Sequence, residues 1–240
     1  MKETRILLLD TEAKKLEEGS LVYDLGYIVT NKKGKIYEAR SLLISDVLER
    51  KELFRSKYYN TKLVFYRKLF LNMTTEYTSF QNAVKILKNS FEFWECSTLA
   101  GYNLNFDLTA LQFSASQLGG QADLEEVLQN SRFLDVWLLS LLSICQQKTF
   151  FRFAVARNLL TEKGFPLTSA EVLQEYVTGN KDYHHTALSD CYSTLPIMVK
   201  ALRQNKKILP ARDWQEGKKT CYSEFAKNFQ KWQKTTENKK

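Results

Sequence analysis

Histidine is nearly absent from this 240-residue chain, where His184 and His185 are the only two. A zinc centre built on several imidazoles is therefore excluded. Cysteine is scarce too. Cys96, Cys145, Cys191 and Cys221 are scattered and form no CxxC pair, so neither a thiolate metal site nor a disulfide framework is indicated. Three prolines and nine glycines leave no Pro/Gly-rich linker, and there is no internal repeat. Long apolar runs are missing. The stretch from residue 133 to 145 is broken by Asp135 and falls short of the roughly 20 residues that a membrane span needs. Lys2, Glu3 and Arg5 precede only a short apolar run, which is not the pattern of a cleavable signal. These absences predict a reducing, cytoplasmic protein with no membrane segment.

What is present is ordinary in amount and informative in place. The length suits one large domain or two small ones. Hydrophobic content of 44% and charged content of 26% are those of a globular protein. Thirty-five Lys and Arg against 27 Asp and Glu give a net charge of +8. That balance favours a polyanionic partner such as nucleic acid, or an anionic membrane surface. A basic tail explains it equally well. Residues 227–240 hold five lysines and one glutamate, with Lys206, Lys207, Lys218 and Lys219 close behind.

Residues 5–10 form a short apolar run without alternation, as in a strand covered on both faces. Residues 21–30 and 35–44 are rich in Val, Ile and Tyr and flank the turn sequence Asn31-Lys32-Lys33-Gly34, which predicts a hairpin. Ser45 is placed as the N-cap of a helix reaching about Phe70, with Phe54, Tyr58, Tyr59, Leu63, Tyr66, Leu69 and Phe70 at helical spacing. Core packing is the favoured role of those aromatics. The alternative is a groove in which they stack on bases while Lys51, Arg55, Lys57, Lys62, Arg67 and Lys68 hold phosphates. A helix follows at 79–90, burying Phe80, Ala83, Val84 and Leu87. A strand at 97–101, a helix at 107–118 ended by Gly119-Gly120, a short strand at 132–134 and further helices from Asp135, from 171 to 176 and up to about Leu202 complete the order. A meander followed by strands alternating with helices predicts an α/β domain with a mixed sheet. The simplest division is a domain over 1–203, with a helical insertion at about 45–75, and a basic extension over 204–240.

Asp10 and Glu12 end the first apolar run, two residues apart, so on a strand both carboxylates point to one side. Such a pair repels unless a cation or a proton intervenes. Oxygen-only ligands suit Mg²⁺ or Mn²⁺. Asp107 follows a second strand, and Asp190 lies in the first turns of the last strong helix, with His185 five residues before it. Four carboxylates could converge with one imidazole. Two divalent ions about 3.5–4 Å apart would stabilise the attacking and leaving oxygens of a phosphodiester displacement, and a near-neutral histidine could take a proton from water.

In order, DTE at 10–12, YNLNFD at 102–107 and HTALSD at 185–190 resemble the three motifs of the DEDDh, or DnaQ-like, 3′–5′ exonucleases. The likeness covers roughly residues 5–203. The stretch from Phe165 to Asp190 is similar to compact phage and prophage members. The resemblance implies an RNase H-like fold and roles by motif position. Asp10 would bridge two metal ions, Glu12 and Asp190 would hold the ion bearing the nucleophilic water, Asp107 would serve the second ion, and His185 would be the general base. His184 lies one residue too far from Asp190. Thr11, Ala13, Asn103 and Phe106 become the candidate contacts to the terminal nucleotide. For Asn103 a loop-orienting role weighs equally, and for Phe106 core packing is favoured. Asp135 is assigned a helix N-cap in preference to a supporting role in the site.

The chain departs from the family's usual pattern in two places. Ala13-Lys14-Lys15 stands where the first motif often continues with Thr and Gly, so the grip on the 3′ end differs. Tyr102-Asn103 stands where the second motif usually has His-Asn. Pro196 falls inside the last strong helix, where an interior proline costs roughly 3 kcal/mol and predicts a kink or break. Trp94, Trp137, Trp214 and Trp232 show no spacing of a base-stacking platform, and Trp214 and Trp232 sit in the basic tail as docking contacts or in disorder.

The resemblance implies a metal-dependent 3′–5′ exonuclease with a free 3′ end of nucleic acid as partner, DNA favoured over RNA. A polymerase or another replication or repair protein lies within the family's range of partners. Two other readings compete: a non-catalytic nucleic-acid-binding protein on the same fold, and motifs that are only strand ends, caps and loops.

Overall fold

The computed structural model describes residues 4–54, 64, 66, 75–180, 186–204 and 214–237, with side chains over 218–236 in the last segment. Six strands form one mixed sheet in the order β4-β3-β2-β1-β5-β6. They are β1 (Arg5–Lys15), β2 (Ser20–Asn31), β3 (Ile36–Ile44), β4 (Glu76–Thr78), β5 (Cys96–Gly101) and β6 (Arg132–Asp135). Only β2 runs against the others. The helices are α1 (Ser45–Leu48), α2 (Phe80–Phe93), α3 (Leu104–Leu118), α4 (Gln121–Gln129), α5 (Val136–Leu141), α6 (Lys148–Ala156), α7 (Ala170–Thr178), α8 (Ala187–Leu202) and α9 (Trp214–Glu237). The α/β class with a mixed, helix-flanked sheet is as expected.

Alternation along β1 sorts its side chains into two apolar layers. Leu7 and Leu9 join the layer that contains Phe80, Val84 and Leu87 of α2 and Leu108 and Leu111 of α3. Ile6 and Leu8 join the layer of Leu138 and Leu139 in α5, Ile197 and Met198 in α8, and Phe225 and Phe229 in α9. Both faces of the sheet are therefore covered. Leu7, Leu8 and Ile28 have no exposed surface, and burial of each such side chain contributes about 1.5–3 kcal/mol.

β1 does not stop at its carboxylates. It continues to Lys15 because β2 goes on pairing with it, through Ala13↔Val22 and Lys14↔Leu21 to Lys15↔Ser20, with a bulge between Glu12 and Ala13. On the other flank the pairing with β5 reaches only Leu8↔Ala100. Asp10 thus lies within a strand but beside an opening in the sheet.

The hairpin at 31–34 and the α2 core face match the sequence reading, and Ser79, read as the first residue of that helix, is its N-cap. The helix expected from Ser45 to about Phe70 does not form as one piece. Ile44 precedes α1 as its cap without a side-chain bond, α1 ends at Leu48, and a 3-10 turn covers Lys51–Phe54, where the Leu53 amide reaches back to the Arg50 carbonyl. The Asp46 carboxylate accepts the Phe80 amide hydrogen at 2.6 Å and so ties α1 to the start of α2. Of the expected aromatic face, Phe54 and Tyr66 are buried, both edge-on to Tyr23. Tyr58, Tyr59, Leu63, Leu69 and Phe70 lie outside the described residues, as does most of the expected insertion at 45–75.

α8 runs unbroken through Pro196, so no break follows the first turn. α9 packs by Cys221, Phe225 and Phe229 into the second apolar layer, with Trp232 against Phe151 and Phe229. Trp232 is therefore a docked side chain. Among the described residues no helix is long and apolar enough to cross a membrane.

Candidate active site

The parallel strands β1, β5 and β6 bring their carboxyl ends to one edge, where open α/β sheets form ligand crevices. Asp10 and Glu12 project there from β1, on the face covered by α8. Thr11 points to the α3 face, as the alternation requires. Its amide and hydroxyl both donate to Oδ1 of Asp107, at 2.9 and 2.7 Å.

Asp107 reaches this place because α3 starts at Leu104, three residues earlier than expected. Asn103 caps it in the left-handed region, φ 59°, which turns the chain directly from β5 into the helix. Asp107 is consequently buried in the first turn. Burial pushes its carboxyl up to about 7, although both Thr11 donors favour the charged form; Asp135 adds to the rise.

Asp190 arrives through a close approach. β2 places Gly26 opposite Asp10, and a side chain on Gly26 would meet the backbone nitrogen of Leu188 at 2.1 Å and the carbonyl carbon of Ala187 at 2.3 Å. Glycine therefore lets the start of α8 lie directly on β2. The start of α8 is fixed by a capping box, in which Thr186 Oγ1 accepts the Ser189 amide hydrogen and Ser189 Oγ accepts that of Thr186. Asp190 then falls in the first turn. Cys191 packs its sulfur against the Leu8 and Gly26 carbonyls at 3.6 and 3.4 Å.

Asp10 records the convergence. Its carboxyl is held well above the usual carboxylate range, first by burial and then by Asp107, Asp190, Glu12 and Asp24. The sequence reading missed Asp24. It pairs with Glu12 across β1 and β2, is fully buried, and accepts hydrogen bonds from the Ala187 amide at 2.9 Å and the Tyr66 hydroxyl at 2.7 Å. A signal was present, since a lone carboxylate interrupts the apolar stretch LVYDLGYIV two residues before the strand glycine.

The remaining candidates are spread around this centre. Ala13 follows the bulge and packs against the first apolar layer. Phe106 is 49% exposed, which rules out the core role favoured from sequence; one position before buried Asp107, it points off the packed face of α3. Asp135 caps α5, accepting the Leu138 amide hydrogen at 3.0 Å. Amides of Trp137, Asn103 and Leu104 also favour its charged form, yet burial pushes it up to about 6. His184 and His185 lie outside the described residues. Among the described residues no three His, Cys, Asp or Glu side chains stand grouped as a ready metal site, and Oδ1 of Asp107 is turned to Thr11. The donor set nevertheless fits a hard divalent cation, because it is all oxygen and its crowding disfavours the charged form of Asp10.

No family model matches the sequence, and no curated protein does. Solved structures share the fold, which is RNase H-like. One is E. coli exonuclease I in complex with a 5cy-dT13 oligonucleotide, at 13% identity and TM-score 0.53, covering 85% of this chain and 41% of that one. Another is the structure of exonuclease I that suggests how processivity is achieved in that enzyme, at 12% identity and TM-score 0.55, covering 84% and 41%. A third is the complex of exonuclease I with SSB-Ct, at 13% identity and TM-score 0.51, covering 85% and 42%. The chain thus spans about two-fifths of the length of the structures it matches.

Proposed function

We propose that this protein is a 3′–5′ exonuclease that hydrolyses the terminal phosphodiester of single-stranded nucleic acid, with DNA as the favoured strand. The observation that carries the reading is the crowding of Asp10 by Asp107, Asp190 and Glu12 at the carboxyl ends of the central strands. The exonuclease I structures, one of them bound to an oligonucleotide, support it at the level of fold. Within that class, the order DTE, YNLNFD, HTALSD fits the DEDDh arrangement.

Asp10, Glu12, Asp107 and Asp190 would hold one or two divalent ions, Mg²⁺ or Mn²⁺. Bound there, the ions would supply charge neutralisation at the scissile phosphate and an acidified water. Thr11 orients Asp107 through its two hydrogen bonds. Asp24 and the capping box hold the first turn of α8, and with it Asp190. His185 would accept the proton of the attacking water, in the role its motif position carries. Asn103 and the exposed Phe106 would meet the terminal nucleotide, with Ala13 beyond the bulge shaping its pocket. Products would be nucleoside 5′-monophosphates, and replication or repair proteins are the class of partner such an activity serves.

End-labelled single-stranded DNA and RNA oligomers, incubated with Mg²⁺ or Mn²⁺, test this directly. The expected result is stepwise shortening from the 3′ end, stopped by a 3′ block and abolished in Asp10→Ala. Internal cleavage of a 3′-blocked oligomer, or an Asp10→Ala variant equal to wild type, overturns it.

A further inference from the structure

A groove of about 360 Å³ opens at the same edge of the sheet, on the side of β6. That volume is at the lower end of the roughly 300–1,000 Å³ typical of small-ligand pockets and suits one nucleotide better than a protein segment. Asn103, Trp137, Thr168, Ser169, Lys218 and Tyr222 line it. They come from the β5–α3 junction, the first turn of α5, the segment leading into α7, and one face of α9.

The walls are built and braced. The Trp137 indole donates to Thr168 Oγ1 at 3.1 Å, and the Tyr102 hydroxyl donates to the Thr168 carbonyl. Half-buried Trp137 is therefore held in one orientation. Lys218, exposed on α9, places its ammonium 4.9 Å from the centre of the Trp137 ring. A fixed indole, a phenol, an exposed cation and the hydroxyls of Thr168 and Ser169 match an aromatic base joined to a phosphate.

The groove also adjoins the carboxylates. Gly101 pairs with Asp135 across β5 and β6, and neighbouring strands lie about 4.8 Å apart. Asn103 stands about one helical turn before Asp107, and the Asp135 carboxyl draws on amides of both Asn103 and Trp137. A strand that left the Asp10 crevice across β5 would enter this groove next.

We propose that the groove is a nucleotide subsite for single-stranded nucleic acid, upstream of the bond that is cut, with Trp137 stacking a base and Lys218 binding a phosphate. The word upstream rests on the nuclease reading; the binding does not. Helix α9 then contributes one wall of the substrate path.

The test is binding of fluorescein-labelled dT12 in EDTA, read by anisotropy over a range of salt. Lys218→Glu should raise Kd about tenfold and flatten the salt slope by about 0.7, the loss of one phosphate contact on a single strand. Lys231→Glu, the same charge change elsewhere on α9, should alter Kd less than twofold. Unlabelled dT12 should quench tryptophan fluorescence in wild type and in Trp94→Phe, and not in Trp137→Phe. Equal effects of the two lysine variants, or quenching that survives in Trp137→Phe, overturns the proposal. If Trp137→Phe does not fold, the lysine comparison decides, because both lysines are exposed. Metal-free binding keeps the two readings apart. A wild type that binds through Lys218 but never hydrolyses retains the subsite and loses the nuclease, while an active enzyme indifferent to Lys218 does the reverse.

Discussion

Ala187, the first residue of α8, donates its amide hydrogen to Asp24 Oδ2 at 2.9 Å, across 163 positions of sequence. A buried carboxylate on β2 thus fixes the start of the helix that carries Asp190. Asp24→Ala leaves this amide and the Tyr66 hydroxyl without a buried acceptor. Each orphaned donor costs about 1–3 kcal/mol, so for the two a loss of about 2–6 kcal/mol is expected in urea unfolding. Asp24→Asn keeps an acceptor and removes a charge that repels Asp10, so it should unfold near the wild-type midpoint. Equal midpoints for Ala and wild type would show that the tie is not holding the helix.

Gly26 tests the same junction by bulk. Its missing side chain leaves the space that the backbone of Ala187 and Leu188 occupies. Gly26→Ala must push α8 off the sheet, since the clash is with backbone and not with a flexible side chain. Overpacking of this kind costs about 1–3 kcal/mol. Differential scanning calorimetry should show a lowered Tm, and turnover should fall more than stability does, because Asp190 moves with the helix.

Thr11 holds Asp107 by two bonds, of which only one depends on the side chain. Thr11→Val removes the hydroxyl and leaves the amide bond in place. A hydrogen bond to a charged group contributes about 1.5–3 kcal/mol, so kcat should drop about tenfold or more. KM should change little if the bond serves the carboxylate and not the substrate. A variant in which KM alone rises would assign Thr11 to substrate contact, as the sequence reading had it.

Far from the site, Glu38 sets an acid limit on the fold. Burial raises its carboxyl, but hydrogen bonds from Arg40, Trp94 and Ser90, with Arg40 Nε at 2.8 Å and Trp94 Nε1 at 2.6 Å, outweigh it and hold the group below its ordinary value. A folded-state pKa below the unfolded one gives stability that is present above the unfolded value, about 4.3. That stability is lost as pH falls through the folded value. Wild type should therefore lose stability below about pH 4.3, and Glu38→Gln should show a shallower loss. Parallel curves for the two proteins would mean that the cluster does not govern the acid limb.

Much of this was legible in the chain, and the exceptions share a cause. Phe80, Ala83, Val84 and Leu87 revealed α2 because their helical period is local and agrees with the fold. Asp10, Glu12, Asp107 and Asp190 were picked out because each was read at a change of element, although β1 runs on past the first two. β1 was read too short because the apolar run ends at Leu9, and residues 11–15 are strand only through their pairing with β2. Asp24 was missed because its partner is an amide on another element, and amides leave no mark in a sequence. Phe106 was assigned to the core by residue type, whereas the left-handed turn at Asn103 fixed which face of α3 would be outermost. Local pattern carried the elements, and non-local hydrogen bonds decided how the site was aimed.

The carboxylates themselves supply the last test. In metal-free protein Asp10 is desolvated and faces Asp107, Asp190, Glu12 and Asp24. Asp10→Asn removes one charge from that cluster, so in EDTA the variant should melt above wild type. A divalent ion that binds only the folded state stabilises it by about 2.7 kcal/mol at a hundredfold excess over Kd. Millimolar Mn²⁺ should therefore raise the wild-type Tm by several degrees and the variant's hardly at all, reversing their order. The reversal needs both the repulsion and the cation site. Repulsion without a site gives a variant that melts higher under both conditions, and a site without repulsion gives one that never does.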